Sequence, residues 1–452
     1  MADNARKTAL SVLNTLDKGH RILDSVLDDV LGKDPSFSPR DKGLIYALVY
    51  GVLRWRGNLD WIIGHFSKTP LNRIDPGVLN ILRIGLFQIK FLSRIPVSAA
   101  INTSVEMTKS FAAPWVVGYV NATLRSAAKG YQTVPFPELS EDPVIAIASK
   151  KSFPKWLIAR WVSRLGIEET LALCDAINTI PPITIRTNSL KSARKKLIKS
   201  LEFDAKHIEK TNYSSTGISF SNPKRPISEI KAFEEGWFQV QDEAAQLVTL
   251  LLNPQPGETV LDACAGLGGK TGHIAQMMEN HGRLVAMDKD EKKLQRLEVE
   301  MTRLGVSIVS ILPHDLNYPL SGNRVEMFDR ILLDAPCSGL GVLRRNPDTK
   351  WSMSKKKLSY HKEKQAKFME NLMHLVKPSG VLVYAVCSTE PEENMAVVKD
   401  FLNKHSEFAI EKGGMGLPSN ANHLIDQDGF LRTFPHLHSM DGFFSVCLKR
   451  TK

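Results

Sequence analysis

The stretch TVLDACAGLGGKTGH, residues 259–273, joins a short apolar run to a polar run through four glycines. A short apolar run that ends in a glycine turn predicts a β-strand leading into a helix. In sheets built from such strand–helix units, ligands bind where the strands end, and glycines let them approach the backbone closely. The stretch therefore predicts an α/β fold with a ligand site at its glycine turn.

Two familiar phosphate-binding templates do not fit this turn. The P-loop pattern requires a glycine five residues before the GKT triplet at 269–271, and Cys264 stands there. The dinucleotide fingerprint requires a third glycine at the position of Thr271. The turn therefore predicts a ligand that is held without a pyrophosphate cradle.

Further strand-like runs follow, and most of them are separated by helical patterns. They are RLVAMD (283–288), SIVSILPHD (307–315), DRILLDAP (329–336), GVLVYAVCS (380–388) and GFFSVCLKR (442–450). Strands rich in Val, Ile and Leu that alternate with helices are typical of a parallel sheet covered on both faces. We therefore predict an α/β domain over residues 237–452.

Acidic residues follow two of these strands. Asp288 ends the second strand, about 20 residues after the glycine turn, where a carboxylate can accept both hydroxyls of a ribose. Asp315 ends the third strand and can reach an adenine edge. A nucleoside pocket without a pyrophosphate cradle suits S-adenosylmethionine. The alternative is that both acids are ordinary turn residues.

Two of the five cysteines, Cys337 and Cys387, also lie where strands end. The cysteine spacing indicates neither disulfides nor a metal site, so we expect no metal and a reducing, cytoplasmic location. Cys174 and Cys447 lie within predicted elements and are expected to be core residues. For Cys264 we expect a packing role beside the ligand.

A cysteine beside a methyl donor suggests a particular reaction. A thiolate that adds to carbon 6 of cytosine turns carbon 5 into a nucleophile that can accept a methyl group. Asp334, just before Cys337, can share a proton with N3 of the ring. The residues alone do not decide whether Cys337 or Cys387 attacks, since both follow strands at the same predicted edge.

The first half of the chain carries the basic excess. The protein has 452 residues and a net charge of +11: residues 1–130 carry +7, residues 131–150 carry −2, residues 151–236 carry +6 and residues 237–452 carry none. Apolar residues at helical spacing predict an all-α domain over 1–135, followed by a linker over 136–150. Short strands and helices predict a small α+β domain over 151–236. A basic arm beside a neutral domain favours a nucleic-acid partner.

Motifs across nearly the whole chain resemble the bacterial 16S ribosomal RNA cytosine-5 methyltransferase B (RsmB/Sun/Fmu) family. DACAGLGGKT, LLDAPCSGLGVLRRNPDTKW and YAVCSTEPEEN resemble its cofactor and two-cysteine motifs. GVLRWRGNLDWII, ILRIGLFQIKFL and GYVNATLR resemble the helical domain that the family shares with the antitermination factor NusB. Gly266-Leu267 and Val386 depart from the Ala-Pro and Thr that the family usually has.

The resemblance implies a NusB-like RNA-binding domain, a small RRM-like domain and a class I (Rossmann-like) methyltransferase domain. It implies that Cys387 is the nucleophile and that Cys337 assists breakdown of the covalent intermediate, with Asp334 as a further catalytic residue. The implied contacts to S-adenosylmethionine are Cys264, Ala265, Gly266, Leu267, Gly268, Gly269, Lys270, Asp288, Asp315 and Asp334.

We therefore expect methylation of carbon 5 of a cytosine in small-subunit 16S ribosomal RNA. Two alternatives stay open: the same chemistry on a transfer RNA or 23S cytosine, and a catalytically idle RNA-binding or ribosome assembly factor. We expect no DNA partner. We also expect no membrane partner, because no apolar run approaches the ~18 residues that a membrane span needs. A basic run after Cys337, residues 344–367, predicts phosphate contacts near the reactive thiols.

Overall fold

The structure is a computed structural model and describes residues 2–19, 21–33, 37–320, 327–413 and 416–451. The chain forms two compact units. The first comprises residues 1–179 and 343–352, and the second comprises residues 180–342 and 353–452.

In the described residues of the first unit, nine α-helices follow one another before Thr179. Ser38 caps the longest of them by accepting a hydrogen bond from the Asp41 N–H, and Pro39 occupies its first turn. Asp75 caps another in the same way. Buried and mostly aliphatic side chains between Ala5 and Val134, from the first six of these helices and the segments that join them, form one core. The helices are α1 (Ala2–Asp17), α2 (Leu23–Lys33), α3 (Pro39–Phe66), α4 (Pro76–Phe91), α5 (Val97–Lys109), α6 (Pro114–Gly130), α7 (Pro143–Lys151), α8 (Lys155–Leu165) and α9 (Ile167–Asn178).

The second unit begins with a small antiparallel sheet in the strand order β2-β3-β1-β4. Ile185, Ile218 and Phe220 on these strands pack against Leu197 and Leu201 of a helix and form a separate small core. The elements are β1 (Ile183–Thr187), α10 (Arg194–Leu201), β2 (Lys206–Lys210), β3 (Gly217–Ser221), α11 (Lys231–Glu234) and β4 (Phe238–Val240).

A larger sheet follows in the order β10-β12-β9-β8-β5-β6-β7, with β11 paired to β12. Strands β5 to β9 are mutually parallel, and β12 is antiparallel to β9. Its elements are α12 (Glu243–Leu252), β5 (Thr259–Asp262), α13 (Gly269–Met277), β6 (Arg283–Asp288), α14 (Glu291–Leu304), β7 (Val309–Pro313), β8 (Phe328–Asp334), α15 (Thr349–Ser352), α16 (Lys355–Leu372), β9 (Val376–Val386), α17 (Met395–Lys404), β10 (Phe408–Ile410), β11 (Leu431–Thr433), α18 (Pro435–His438) and β12 (Phe443–Arg450).

One segment of the predicted α/β domain belongs to the helical unit. Residues 343–352, which include α15, are grouped with the first unit. Lys350 is fully buried there, and its ammonium donates to the carbonyl oxygens of Arg54 and Ser152 and to Oδ1 of Asn178. Burial lowers the pKa of Lys350 well below its usual value. This lysine is therefore a packing residue and not the phosphate contact that the basic run predicted.

The predicted fold class is confirmed: an all-α region, a small α+β sheet and a largely parallel α/β sheet occur in that order. Each strand-like run predicted in 237–452 contains one strand of the large sheet. The sequence prediction did not identify α2, α7, α9, β2, β4, β10 or β11, and most of α7 lies within the predicted linker, residues 136–150. None of the helices in the described part of the chain combines the length and apolarity that crossing a bilayer requires.

Candidate active site

The carboxyl ends of the parallel strands surround one cavity of about 370 Å³. Small-molecule sites typically have volumes of roughly 300–1,000 Å³, so the cavity is large enough for a nucleoside-sized ligand. Strands β5 to β9 each contribute, directly or through the loop that follows. Among the lining residues are Cys264, Gly266, Asp288, Asp315, Asp334, Cys337, Lys364, Phe368 and Cys387.

The glycine turn after β5 forms one wall of this cavity. Gly266 and Gly268 have φ angles of +56° and +85°, a conformation that L side chains rarely adopt. The N–H of Gly266 donates to Oδ2 of Asp288 at 2.9 Å, which holds the turn against the end of β6. A Cβ on Gly268 would meet Leu297 at 2.8 Å. The turn therefore depends on glycine for both backbone conformation and space.

Asp288 and Asp315 present carboxylates to the cavity from neighbouring strand ends. The second oxygen of Asp288 accepts from the Asp290 N–H at 2.9 Å. Asp315 accepts from the Asn317 N–H, and this hydrogen bond lowers the pKa of Asp315. Both carboxylates are fixed by backbone donors and both line the cavity. Such acceptors suit the hydroxyl and amino groups of a nucleoside.

Asp334 ends β8 and forms an ion pair with Lys270 of α13. Lys270 Nζ lies 2.5 Å from Asp334 Oδ2, with both side chains mostly buried. Burial alone lowers the pKa of Lys270, but the contact with Asp334 outweighs it, so the pKa of the lysine is raised. Lys270 is therefore protonated and paired with Asp334 beside the thiols.

Cys337 and Cys387 face each other inside the cavity. Their sulfur atoms are 3.3 Å apart, although the residues are 50 positions apart in the chain. The hydrogen bond with Cys387, followed by burial, raises the pKa of Cys337 well above its usual value. Cys337 is therefore a thiol at neutral pH that can donate a hydrogen bond to the sulfur of Cys387.

Helix α16 carries positive charge on the side of the site that it forms. Lys355, Lys356, Lys357 and Lys367 are exposed, and Lys364 lines the cavity itself. The solvent-facing lysines of the predicted basic run lie on this helix, whereas Arg344 and Lys350 of the same run are buried.

A second cavity, of about 830 Å³, lies in the helical unit between α1, α3 and the α4–α5 loop. Three arginines line it. Arg6 is buried and donates to Oε1 of Gln88 at 2.7 Å. Arg40 and Arg94 are exposed at its rim. The cavity is therefore a concave, positively charged surface.

Comparisons with known proteins cover the whole chain. A family model described as 16S rRNA methyltransferase RsmB/F matches residues 249–449. The NusB family model matches residues 3–129, and a ferredoxin-like domain of RsmF/B-like methyltransferases matches residues 153–227. A probable ribosomal RNA small subunit methyltransferase B of Synechocystis is 34% identical, with 99% of each chain covered.

The chain belongs to the 16S rRNA methyltransferase RsmB/F family. A Bacillus subtilis relative, also described as a probable ribosomal RNA small subunit methyltransferase B, is likewise 34% identical over 99% of each chain. The crystal structure of PH0851 is similar with a TM-score of 0.82 at 28% identity, covering 99% of this chain and 98% of the other. The predicted all-α NusB-like, small α+β and Rossmann-like regions are thereby confirmed, and the comparison describes the small α+β region as ferredoxin-like.

As a member of the RsmB/F family, the protein is a methyltransferase, and its predicted site residues converge. Cys264, Gly266, Asp288, Asp315, Asp334, Cys337 and Cys387 all line the cavity. Ala265, Leu267, Gly268, Gly269 and Lys270 are not among the lining residues. Of these, Gly268 and Gly269 begin helix α13, Lys270 binds Asp334, and Leu267 is exposed.

Two residues that the sequence prediction did not identify support the site. Arg186 of β1 is fully buried and donates to the carbonyl of Gly269 at 2.9 Å, at the start of α13. Arg186 lies in the basic stretch RTNSLKSARKK (186–196), but its burial excludes a phosphate contact. Glu393 is also fully buried and accepts hydrogen bonds from Ser338 and Ser388, the residues that follow the two cysteines.

A pair of adjacent glycines allows a matched test of the turn. Gly268→Ala should destabilise the protein by about 1–3 kcal/mol, because it forces a side chain into a left-handed conformation and against Leu297. Gly269→Ala is the control, since a Cβ there meets nothing within 4 Å. Urea unfolding measures both. Equal stabilities of the two variants would show that the turn does not require this backbone geometry.

Proposed function

We propose that the protein transfers a methyl group from S-adenosylmethionine to carbon 5 of a cytosine in 16S ribosomal RNA, through a covalent bond between Cys387 and carbon 6. The observation that carries the proposal is the pair of thiols in contact within the cavity of a methyltransferase. The names of the relatives, ribosomal RNA small subunit methyltransferase B, support the substrate.

The residues around the cavity fit S-adenosylmethionine. Asp288 would hold the ribose hydroxyls and Asp315 the adenine edge, with the backbone of Gly266 close to the ligand. The glycine turn leaves space for such an approach, because a Cβ on Gly266 would meet nothing within 4 Å. When bound, S-adenosylmethionine supplies the methyl group.

The two-cysteine motif of the family supports Cys387 as the nucleophile, since the contact between the two sulfur atoms is the same for either assignment. The sulfur of Cys387 would add to carbon 6, and the Lys270–Asp334 pair would share a proton with N3 of the ring. With Cys387 as the nucleophile, Cys337, whose pKa is raised by the hydrogen bond with Cys387, stays a thiol and can donate a hydrogen bond to the sulfur of Cys387. After methyl transfer a base would remove the carbon 5 proton, and as the carbon 6–sulfur bond then breaks, that donor would stabilise the departing thiolate of Cys387.

The charge distribution supports RNA as the partner. Lys364 of α16 lines the cavity, and the exposed lysines of the same helix can contact phosphates while a base enters the cavity. In the helical unit, Arg40 and Arg94 offer phosphate contacts at the rim of the larger cavity. We keep the domain boundaries 1–135, 151–236 and 237–452, and the cytoplasmic location, as predictions.

Two alternatives remain distinct from this proposal. Methylation of a transfer RNA or 23S cytosine would require the same two thiols. An idle assembly factor would require neither thiol. The contact between the two sulfur atoms favours catalysis over idleness, because a role confined to RNA binding gives no reason to pair thiols in the cavity.

The assignment of the thiols predicts opposite behaviour of two variants. With substrate RNA and S-adenosylmethionine, Cys387→Ala should form no covalent protein–RNA complex and no product. Cys337→Ala should attack and methylate but release slowly, because the donor to the leaving thiolate is lost. A denaturing gel detects the accumulated complex, and nucleoside mass spectrometry detects 5-methylcytosine.

Cys447→Ala is the matched control, since Cys447 is a buried cysteine in β12 and is not among the lining residues of the cavity. It should methylate at the wild-type rate. All three variants must bind S-adenosylmethionine, because loss of a buried side chain can leave a cavity. A complex that accumulates in Cys387→Ala and is absent in Cys337→Ala would make Cys337 the nucleophile.

The helical unit can be tested by the salt dependence of RNA binding. Replacing both Arg40 and Arg94 by Gln should reduce the slope of log affinity against log salt by about 1.4 to 1.8, since each lost phosphate contact removes about 0.7 to 0.9. A double variant of Arg296 and Lys399, exposed in the second unit, is the charge-matched control. Fluorescence anisotropy measures the slopes. Equal slopes for both double variants would exclude the arginine-lined cavity as an RNA contact.

A further inference from the structure

A buried carboxylate lies directly behind the two thiols. Glu393 follows β9 and has no exposed surface. Its Oε2 accepts from the hydroxyls of Ser338 at 2.5 Å and Ser388 at 2.6 Å. Its Oε1 accepts from the Ser338 N–H at 2.7 Å and from Nε2 of Gln365 at 3.2 Å. Four hydrogen bonds therefore compensate the burial of this group.

The partners of Glu393 belong to the two loops that carry the cysteines. Ser338 directly follows Cys337, and Ser388 directly follows Cys387. The two serine hydroxyls are also 3.2 Å from each other. Gln365 of α16 adds a third connection, since its Nε2 donates to the carbonyl of Pro336 at 3.0 Å.

The backbone of Glu393 is fixed as well. The hydroxyl of Tyr384, a fully buried residue of β9, donates to the Glu393 carbonyl at 2.6 Å. The carboxylate is thus anchored to the same strand whose end carries Cys387. A rigid acceptor of this kind can set the distance between two loops that have no covalent connection near the site.

We propose that Glu393 is a positioning residue that holds the loops of Cys337 and Cys387 together and so keeps the two sulfur atoms in contact. It acts through Ser338 and Ser388. Glu393 itself is not among the described residues that line the cavity. The inference rests on the proposed function for its consequence in catalysis. The geometric part, the contact of the two thiols, can be tested without RNA.

The geometric test uses diamide as a probe of thiol proximity. Diamide takes two electrons and two protons from a pair of thiols, which become a disulfide while the reagent is reduced to the hydrazine. In the wild type, the Cys337–Cys387 disulfide should form rapidly, as followed by peptide mass spectrometry. In Glu393→Ala it should form about a hundredfold more slowly, because the thiols are no longer pre-positioned.

The catalytic test uses the same variant in the full chain. Glu393→Ala should reduce kcat about a hundredfold while the KM for RNA and the affinity for S-adenosylmethionine stay unchanged. Glu393→Gln retains one acceptor oxygen and should recover part of both rates. A purely structural role predicts instead that affinity and melting temperature fall together with kcat.

Substitution of a serine that binds Glu393 is a second test, with a smaller expected effect. Ser388→Ala keeps the carboxylate and should slow both reactions about tenfold, as expected for one lost hydrogen bond to a charged group. Ser445→Ala is the matched control, a buried serine of β12 whose hydroxyl has no hydrogen-bond partner among the described residues. It should leave both rates unchanged.

Two results would overturn the proposal. The first is a folded Glu393→Ala variant that forms the disulfide as fast as the wild type. The second result applies if Glu393→Ala does not fold. In that case the Ser338→Ala, Ser388→Ala double variant is measured, and disulfide formation and kcat at wild-type rates would overturn the proposal. Slow disulfide formation in Glu393→Ala, together with no covalent RNA complex in the wild type, would support the positioning role and count against the proposed function.

Discussion

The parallel pairing of β8 with β9 places two distant parts of the chain at one point. In this register Leu333 lies opposite Tyr384 and Asp334 lies opposite Ala385, so both strands end at the same edge of the sheet. Cys337 and Cys387 follow these ends and meet there. The cavity for the methyl donor occupies the same edge, because the neighbouring parallel strands β5 to β7 also end there. Strand register therefore brings the two thiols and the proposed cofactor site together.

Much of this arrangement could be predicted from the sequence because it depends on local patterns. Apolar runs predicted the strands, and the glycine cluster predicted the turn in which Gly266 and Gly268 have positive φ angles. Parallel topology then implies that acids and cysteines after successive strands share one edge. That reasoning needed no contact between specific side chains, and it placed Asp288, Asp334 and Cys387 on one cavity.

The supporting residues could not be predicted, because their roles arise from contacts between distant segments. Lys350 looks like a phosphate contact in a basic run, but it is buried beside Ser152 and Asn178 in the helical unit. Arg186 also lies in a basic stretch, but it is buried under the glycine turn. Charge density in a sequence does not distinguish a solvated cation from one enclosed by carbonyl groups. Glu393 is one of several acids near Cys387, and only the folded chain shows which of them reaches both cysteine loops.

If Cys387 is the nucleophile of the proposed reaction, methylation of a cytosine in 16S ribosomal RNA requires its thiol. Bisulfite sequencing of that RNA tests this requirement most directly, in cells whose only copy of the gene encodes either the wild type or Cys387→Ala. The account predicts a cytosine that resists conversion in the wild type and converts fully in the variant. An identical set of resistant cytosines in both strains would contradict it.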